Sequence, residues 1–523
     1  MLSLWLFIAL IGIVILMKVI GILMEYKAHR EFANRFGIED DHKITGIIDK
    51  LRVAYKNEDT EMPIKFRQEM AERHNGNHIW KLLPNVFYWI INDPEMAKFM
   101  MNLDAKLVEK GSSAKNMFSF DKKGFKSGIL FSEGDQWKTQ RKSLSENFSK
   151  KNVESYIEEM DKSACIFTEQ LTLSSGYQNT EVIGNLSNSC LYEIMFKCLM
   201  GDQNCNSQQS ENHRDFIQAF ETISKTVIYR VENRFKTMIF AKMPFLNTIS
   251  SYFVPQLIAE RHAMKVRDEF LGGVVENAKL KCQNWDDKPV NDLASTMMIA
   301  QDKNGNRVFS DKEIKCQLFT FAFGGHETAA SALNWLLFYL GQYPEWVKRI
   351  NDEFEANQCT INRFTLYKCP SADAVIKETL RLCHTLDVFI PRVVKENIKL
   401  PDGNICPKGM TFMIDLANMN TDERSWGKDS LNFDPSRFLK SSRKRFEKDL
   451  HSYQYLPFGG GKRSCIGKTF AMQELRILVL RICQNVKIEN VMMDQNQIQP
   501  PNQWTGMTWK IKRGSLLQRF TPR

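Results

Sequence analysis

No Cys-x-x-Cys pair occurs among the twelve cysteines of this 523-residue sequence, and their spacing forms no framework. That excludes a disulfide scaffold and a zinc site of ordinary spacing. The thiols read as buried side chains of a protein from a reducing compartment, with Cys465 as the exception. The chain also lacks an internal repeat and any long linker rich in Pro, Gly or Ser. Length alone would divide it into about three domains. The short polar stretches at 203–214 and 302–307 read as surface loops instead, which leaves one large domain. Aromatic residues are not interleaved with the basic ones, so the net charge of +10 does not describe a nucleic-acid groove and no nucleic-acid partner is expected. The densest basic run, 440–448, reads as a solvated loop that keeps a docking role open.

What the sequence does contain begins with an apolar run. Residues 2–17 carry no charge, and 19–24 extend the run past Lys18. As a helix this segment spans about 34 Å at ~1.5 Å per residue, enough to cross a bilayer. Lys18, near its downstream end, can snorkel to the headgroups. A cleaved signal peptide would carry a basic n-region and an Ala-x-Ala-like site, and both are missing. Positive charges follow the run instead, at Lys27, Arg30 and Arg35, which places the large domain on the cytosolic side. The pattern predicts a transmembrane signal-anchor over residues 1–26.

The second feature is Phe458-Gly459-Gly460-Gly461-Lys462-Arg463-Ser464-Cys465-Ile466-Gly467. Phe470, Ala471, Leu475, Leu478 and Ile482 follow at helical spacing, so a helix should begin just beyond the cysteine. Glycines let several backbone amides approach one sulfur. Those amides and the helix N-terminus stabilise negative charge, as a thiolate bound to iron requires. The alternatives are a buried cysteine in a tight turn, or a phosphate loop, although the Walker Lys-Ser/Thr order is missing.

Four further constellations accompany it. Ser310-Asp311-Lys312-Glu313 is a capping box, and the apolar residues that follow run almost to Pro344, predicting a helix of roughly 30 residues. In its middle stand Gly324, Gly325, His326, Glu327 and Thr328. Two glycines there cost about 1 kcal/mol each relative to alanine. They mark either a tight helix crossing or a groove opened for a small ligand. Ser371 is read as the N-cap of a helix that carries Glu378 and Arg381 on one face. Trp137 and Arg141 share a face at i, i+4 in a further helix. The fourth constellation is Pro435-Ser436-Arg437-Phe438.

Taken together these motifs resemble the cytochrome P450 family. The cysteine loop matches Phe-Gly-x-Gly-x-Arg-x-Cys-x-Gly at every defined position. Six fixed residues would coincide by chance about once in 10⁵ chains of this length. The central-helix, Glu-x-x-Arg, Pro-x-Arg-Phe and Trp-x-x-x-Arg motifs occur in the family's order across about residues 85–515. Two departures stand out. The proline-rich hinge usual after the anchor is missing, and Asn420-Thr421-Asp422-Glu423 stands where His-x-Asp-Pro is common.

The resemblance implies the mainly helical P450 fold with a smaller β region, preceded by the one transmembrane helix. Residues 27–84 would be linker and the start of the catalytic domain, and 85–523 the haem–thiolate domain. Cys465 would ligate the iron of haem b. Trp137, Arg141, Arg392, Phe458, Arg463 and Gly467 would hold the cofactor, with Gly324 and Gly325 making room beside it. Thr328 and Glu327 would relay protons, and His326 falls on a variable position without a role. Glu378, Arg381 and Arg437 would form a structural ionic network. The implied reaction inserts one atom of O2 into a lipophilic substrate. No flavin or nicotinamide domain is visible, so electrons would come from NADPH through a separate FAD/FMN reductase, with cytochrome b5 as a second donor, at the endoplasmic reticulum membrane. Lys138, Arg141, Lys142, Lys462, Lys468 and residues 440–448 would form the docking face. A haem–thiolate isomerase or dehydratase, or a silent haem sensor, are the competing readings. Two local expectations complete the analysis: a hairpin turn at Leu400-Pro401-Asp402-Gly403-Asn404, and an apolar stretch from Met238 to Val254 that dips into the membrane or forms a core helix.

Overall fold

The computed structural model describes residues 24, 27–32, 78–83, 86–111, 127–174, 176–201, 211–232, 252–283, 292–383, 385–386, 391–439, 453–492, 502–504 and 508–523. The expected anchor over 1–26 and the basic run at 440–448 therefore lie outside the described residues, Met24 apart. So does most of the apolar stretch from 238, of which Tyr252 and Phe253 are exposed. Among the described residues no helix is long and apolar enough to cross a membrane.

Ten helices frame the site: α1 (Pro94–Asn102), α2 (Gly134–Ser145), α3 (Ile157–Thr172), α4 (Thr180–Cys198), α5 (Glu211–Glu232), α6 (Pro255–Gln283), α7 (Asp311–Gln342), α8 (Pro344–Glu355), α9 (Pro370–Leu382) and α10 (Lys468–Asn485). The long helix α7 is the axle, packing on α4, α6, α9 and α10. It starts as its sequence dictates. The Ser310 hydroxyl accepts from the Glu313 amide at 3.3 Å, and the Glu313 carboxylate accepts from the Ser310 amide at 3.0 Å. It ends where Pro344 begins the next helix.

Helix α9 departs from expectation at its start. Pro370 occupies the first helical position, so Ser371 lies inside the helix rather than capping it. Its hydroxyl donates to Glu353 Oε1 of α8 at 2.6 Å, and its amide donates to Oε2 at 2.9 Å. A carboxylate from the neighbouring helix takes up the orphan amide that a local cap would have satisfied.

The β region is small. Strands β1 (His78–Leu83), β2 (Val86–Ile91), β3 (Val108–Lys110), β4 (Arg392–Val394) and β5 (Thr411–Ile414) form one sheet in the order β1-β2-β5-β4-β3. β2 and β5 run parallel and the other pairs antiparallel. Phe32, ahead of the sheet, is buried edge-on against Trp89 of β2, with ring centroids 5.2 Å apart. A second sheet joins Gln178–Asn179, Leu516–Pro522 and Val486–Met492. The hairpin expected at Leu400–Asn404 is present: Ile398–Lys399 pairs with Ile405–Cys406, and Gly403 takes φ +84°. Where the family commonly has His-x-Asp-Pro, short helices Leu416–Thr421 and Glu423–Trp426 meet at Asp422, which caps the second. Of the eleven described cysteines seven are buried and three half-buried, and Cys465 alone is exposed.

One buried acid in this core makes stability depend on pH. Glu474 of α10 lies within electrostatic reach of Cys190 and Cys198 of α4, and burial pushes its carboxyl up to about 8. Below pH 4.5 the folded and unfolded chains are both protonated there, and folding incurs no penalty. As pH rises from about 4.5 to about 8, only the unfolded chain loses the proton, so stability falls. The full penalty is on the order of 5 kcal/mol. Glu474→Gln, isosteric with the neutral acid, should therefore raise the apparent unfolding midpoint little at pH 5 and clearly at pH 8. Thermal unfolding scans of both proteins across that range would show it. Parallel curves would mean that Glu474 does not titrate there.

Candidate active site

The cysteine loop is shaped by hydrogen bonds across it. The Cys465 amide donates to the Phe458 carbonyl at 2.8 Å, closing a loop in which Gly459 and Gly461 adopt φ of +67° and +63°. Gly461 also abuts the end of α1, where a Cβ would lie 2.3 Å from the Met101 carbonyl oxygen. Helix α10 starts at Lys468, which puts the amides of Gly467 and Lys468 near the Cys465 sulfur, where they favour its negative form. The thiol thus sits where a helix N-terminus favours negative charge. Surrounding protein pushes it above its ordinary value, while those two amides, Arg141 and Lys468 pull it down. Its surface is nonetheless exposed.

The opposing face is prepared by α7. From Cys316 to Leu340 the helix is buried except at Gly324 and Gly325, which are exposed, and Thr328, which is half-exposed. A Cβ at either glycine would meet nothing within 4 Å. These glycines are therefore not a tight helix crossing but an opening in the helix face. Phe148 ties this helix to the post-cysteine helix, stacking on Phe321 at 5.0 Å and meeting Phe470 edge-on at 6.5 Å. The Thr328 hydroxyl donates to the Gly324 carbonyl at 2.7 Å. Glu327 is buried, accepts from the Thr508 hydroxyl at 3.4 Å and pairs with Lys510 at 3.7 Å. His326 points the other way. It is buried, stacks on Tyr192 at 3.7 Å, has neither ring nitrogen hydrogen-bonded among the described residues, and burial lowers it to about 3. It is a neutral packing residue.

A cleft between the main sheet and the cysteine loop gathers Trp137, Arg392 and Arg463. Arg463 stacks on the Trp137 ring at 3.9 Å and donates to the Ser132 carbonyl at 3.0 Å. Burial and the neighbouring guanidiniums of Arg392 and Arg141 push Arg463 down to about 9, with Glu133 opposing. Burial lowers Arg392 to about 10, again opposed by Glu133, and burial also lowers Arg141. Three desolvated cations with one shared carboxylate are costly unless an anion joins them. Sequence reasoning missed Glu133. It precedes the Trp-x-x-x-Arg helix and reads as an ordinary cap, yet its carboxylate makes no cap hydrogen bond and accepts from the Lys110 amide at 2.6 Å.

Behind the site Glu378, Arg381 and Arg437 come together. Arg381 grips Glu378 through two hydrogen bonds of 2.8 and 2.7 Å, both side chains fully buried. Arg437 approaches Glu378 at 3.5 Å, bonds the Trp426 carbonyl at 3.0 Å and pairs with Asp429.

A thiol poised for negative charge, a helix face opened by glycines and a group of guanidiniums short of an anion suit a planar dianionic cofactor whose metal takes a thiolate. Haem has that form, and the residues present fit it. The cytochrome P450 family model matches residues 53–517, so the chain belongs to the cytochrome P450 family. It is 28% identical over 440 residues to cytochrome P450 4F12 of Homo sapiens, covering 80% of this chain and 79% of that protein. It is likewise 28% identical over 362 residues to cytochrome P450 4A7 of Oryctolagus cuniculus, covering 67% of each. Among solved structures, retinoic acid-bound cyanobacterial CYP120A1 superposes with a TM-score of 0.69 at 19% identity, over 87% of this chain and 94% of that one. The chain is thus a cytochrome P450 monooxygenase, an oxidoreductase with haem b as cofactor and O2 as co-substrate.

Proposed function

We propose that this monooxygenase acts on a lipophilic substrate at the endoplasmic reticulum membrane, held by a single-pass anchor over residues 1–26 with its catalytic domain in the cytosol. Electrons come from NADPH through a separate FAD/FMN reductase, with cytochrome b5 as a second donor. The observation that carries the catalytic reading is the open thiol of Cys465 at a helix N-terminus beside guanidiniums short of an anion. Haem, when bound, activates O2 and supplies the oxygen atom that is inserted. Cys465 Sγ would ligate the iron, and the Gly467 and Lys468 amides would temper the charge on that sulfur. Arg141, Arg392 and Arg463 would neutralise the two propionates, with the Trp137 N–H as a further donor, while Phe458 and Gly467 would shape the loop. Gly324 and Gly325 leave space over the cofactor. Thr328 Oγ1 and the Glu327 carboxylate pass protons into that space. Glu378, Arg381 and Arg437 hold the fold behind the haem. Lys138, Lys142, Lys462 and Lys468 offer a basic face to the reductase.

The test uses microsomes from cells expressing the full chain. Fatty acids, sterols, retinoic acid and xenobiotics are screened by the shift they induce in haem absorbance, and the strongest-shifting compound is turned over with NADPH and reductase under labelled O2. One labelled atom per product, from a fraction that resists carbonate extraction and whose catalytic domain is open to protease without detergent, is the expected result. Turnover without NADPH would point instead to an isomerase or dehydratase, and complete carbonate release would remove the anchor.

A further inference from the structure

Glu327 and Thr328 are neighbours in sequence, but successive helical residues project about 100° apart, so the helix alone does not settle where the carboxylate goes. The Thr328 hydroxyl is engaged with the Gly324 carbonyl. The Glu327 carboxylate is met by a different element. Lys510 Nζ and the Thr508 hydroxyl both approach its Oε1, at 3.7 and 3.4 Å. Lys510 belongs to Trp509–Ile511, which pairs antiparallel with Asn502–Trp504, placing Lys510 opposite Gln503. The acid on the central helix is thus mounted on a hairpin near the C-terminal end of the described chain.

We propose that Lys510 is a positioning residue for the proton relay, fixing the Glu327 carboxylate against this hairpin so that the relay and the hairpin act as one unit. The inference rests on the reading that Glu327 and Thr328 carry protons.

Burial makes the pairing consequential. The Glu327 side chain is only 11% exposed and that of Lys510 28%, so solvent screens their attraction far less than it would a surface pair. A carboxylate so enclosed is costly without a cation, and Lys510 meets that need. The gap of 3.7 Å is ionic contact rather than a tight hydrogen bond. The Lys510 charge is also felt by His326, the residue before Glu327, which it helps to keep neutral. One lysine thereby contacts the acid and bears on the histidine beside it.

The experiment compares Lys510→Met, Lys510→Arg, Glu327→Gln and the Lys510→Met/Glu327→Gln double variant, each loaded with haem and turning over the strongest-shifting compound of the binding screen. Product and hydrogen peroxide per NADPH, the solvent deuterium isotope effect and KM are recorded, together with thermal unfolding. Lys510→Met should lower product per NADPH several-fold, raise hydrogen peroxide to match and enlarge the isotope effect, while KM stays within about twofold. Lys510→Arg should recover at least half of the coupling. The double variant should couple no worse than Glu327→Gln alone, and its unfolding shift should be smaller than the sum of the two single shifts. If Lys510→Met fails to bind haem, Lys510→Gln takes its place. Lys510 variants that stay fully coupled while Glu327→Gln uncouples would overturn the positioning role and leave the relay standing. If Glu327→Gln itself stays coupled, the relay reading fails first, and the role of Lys510 falls with it.

Discussion

Cys465→Ala should lose the thiolate-type spectrum of the ferrous–carbonyl complex completely, and monooxygenase turnover with it. The geometry explains why no other described thiol substitutes. Seven of the eleven described cysteines are buried, and burial holds Cys190, Cys198, Cys383 and Cys483 well up in the protonated range. Among the described thiols Cys465 alone combines an open surface with the nearby amides of Gly467 and Lys468 and the charge of Arg141. The variant should keep its fold, because the backbone hydrogen bond from residue 465 to the Phe458 carbonyl does not involve the side chain. Haem in it would carry imidazole or no protein ligand, and carbon monoxide difference spectra separate these cases from thiolate directly. A thiolate spectrum retained in Cys465→Ala would assign the iron to another cysteine.

Thr328→Ala should leave substrate binding and NADPH consumption largely intact while product per NADPH drops by at least about tenfold. Hydrogen peroxide should rise to account for the missing electrons. The Thr328 hydroxyl faces a stretch of α7 that is open because Gly324 and Gly325 lack side chains, and it is held there by the Gly324 carbonyl. Removing it takes away an oxygen whose position is fixed by that hydrogen bond, and the water that replaces it has no such restraint. Thr328→Ser should retain coupling and Thr328→Val should not, which separates the hydroxyl from the methyl. An isomerase or dehydratase would turn over without NADPH, and a sensor would not turn over at all. Full coupling in Thr328→Ala, with NADPH still required by the wild type, would remove the relay but keep the class.

What lay in contiguous sequence was legible. The cysteine loop, the capping box at Ser310 and the turn at Gly403 are satisfied by hydrogen bonds among residues a few positions apart, so the order of residues carries their geometry. Glu378 and Arg381 meet because three residues bring a helix back to the same face. Ser371 misled for the complementary reason. It has the chemistry of a cap, but Glu353 reaches it from another helix and Pro370 already fills the first position.

Charge state and partnership belonged to tertiary structure. Arg392 and Arg463 each read in isolation as surface charges; their lowered protonation follows from burial, and for Arg463 from the neighbouring guanidiniums as well, and none of these neighbours adjoins it in the chain. The same holds for Glu133, whose carboxylate serves those arginines rather than its own helix, and for Glu327, whose cation stands at Lys510. Local backbone geometry is short-ranged and can be written in a motif. Desolvation and Coulomb interaction depend on every element packed around a group, and only the assembled fold decides which elements those are.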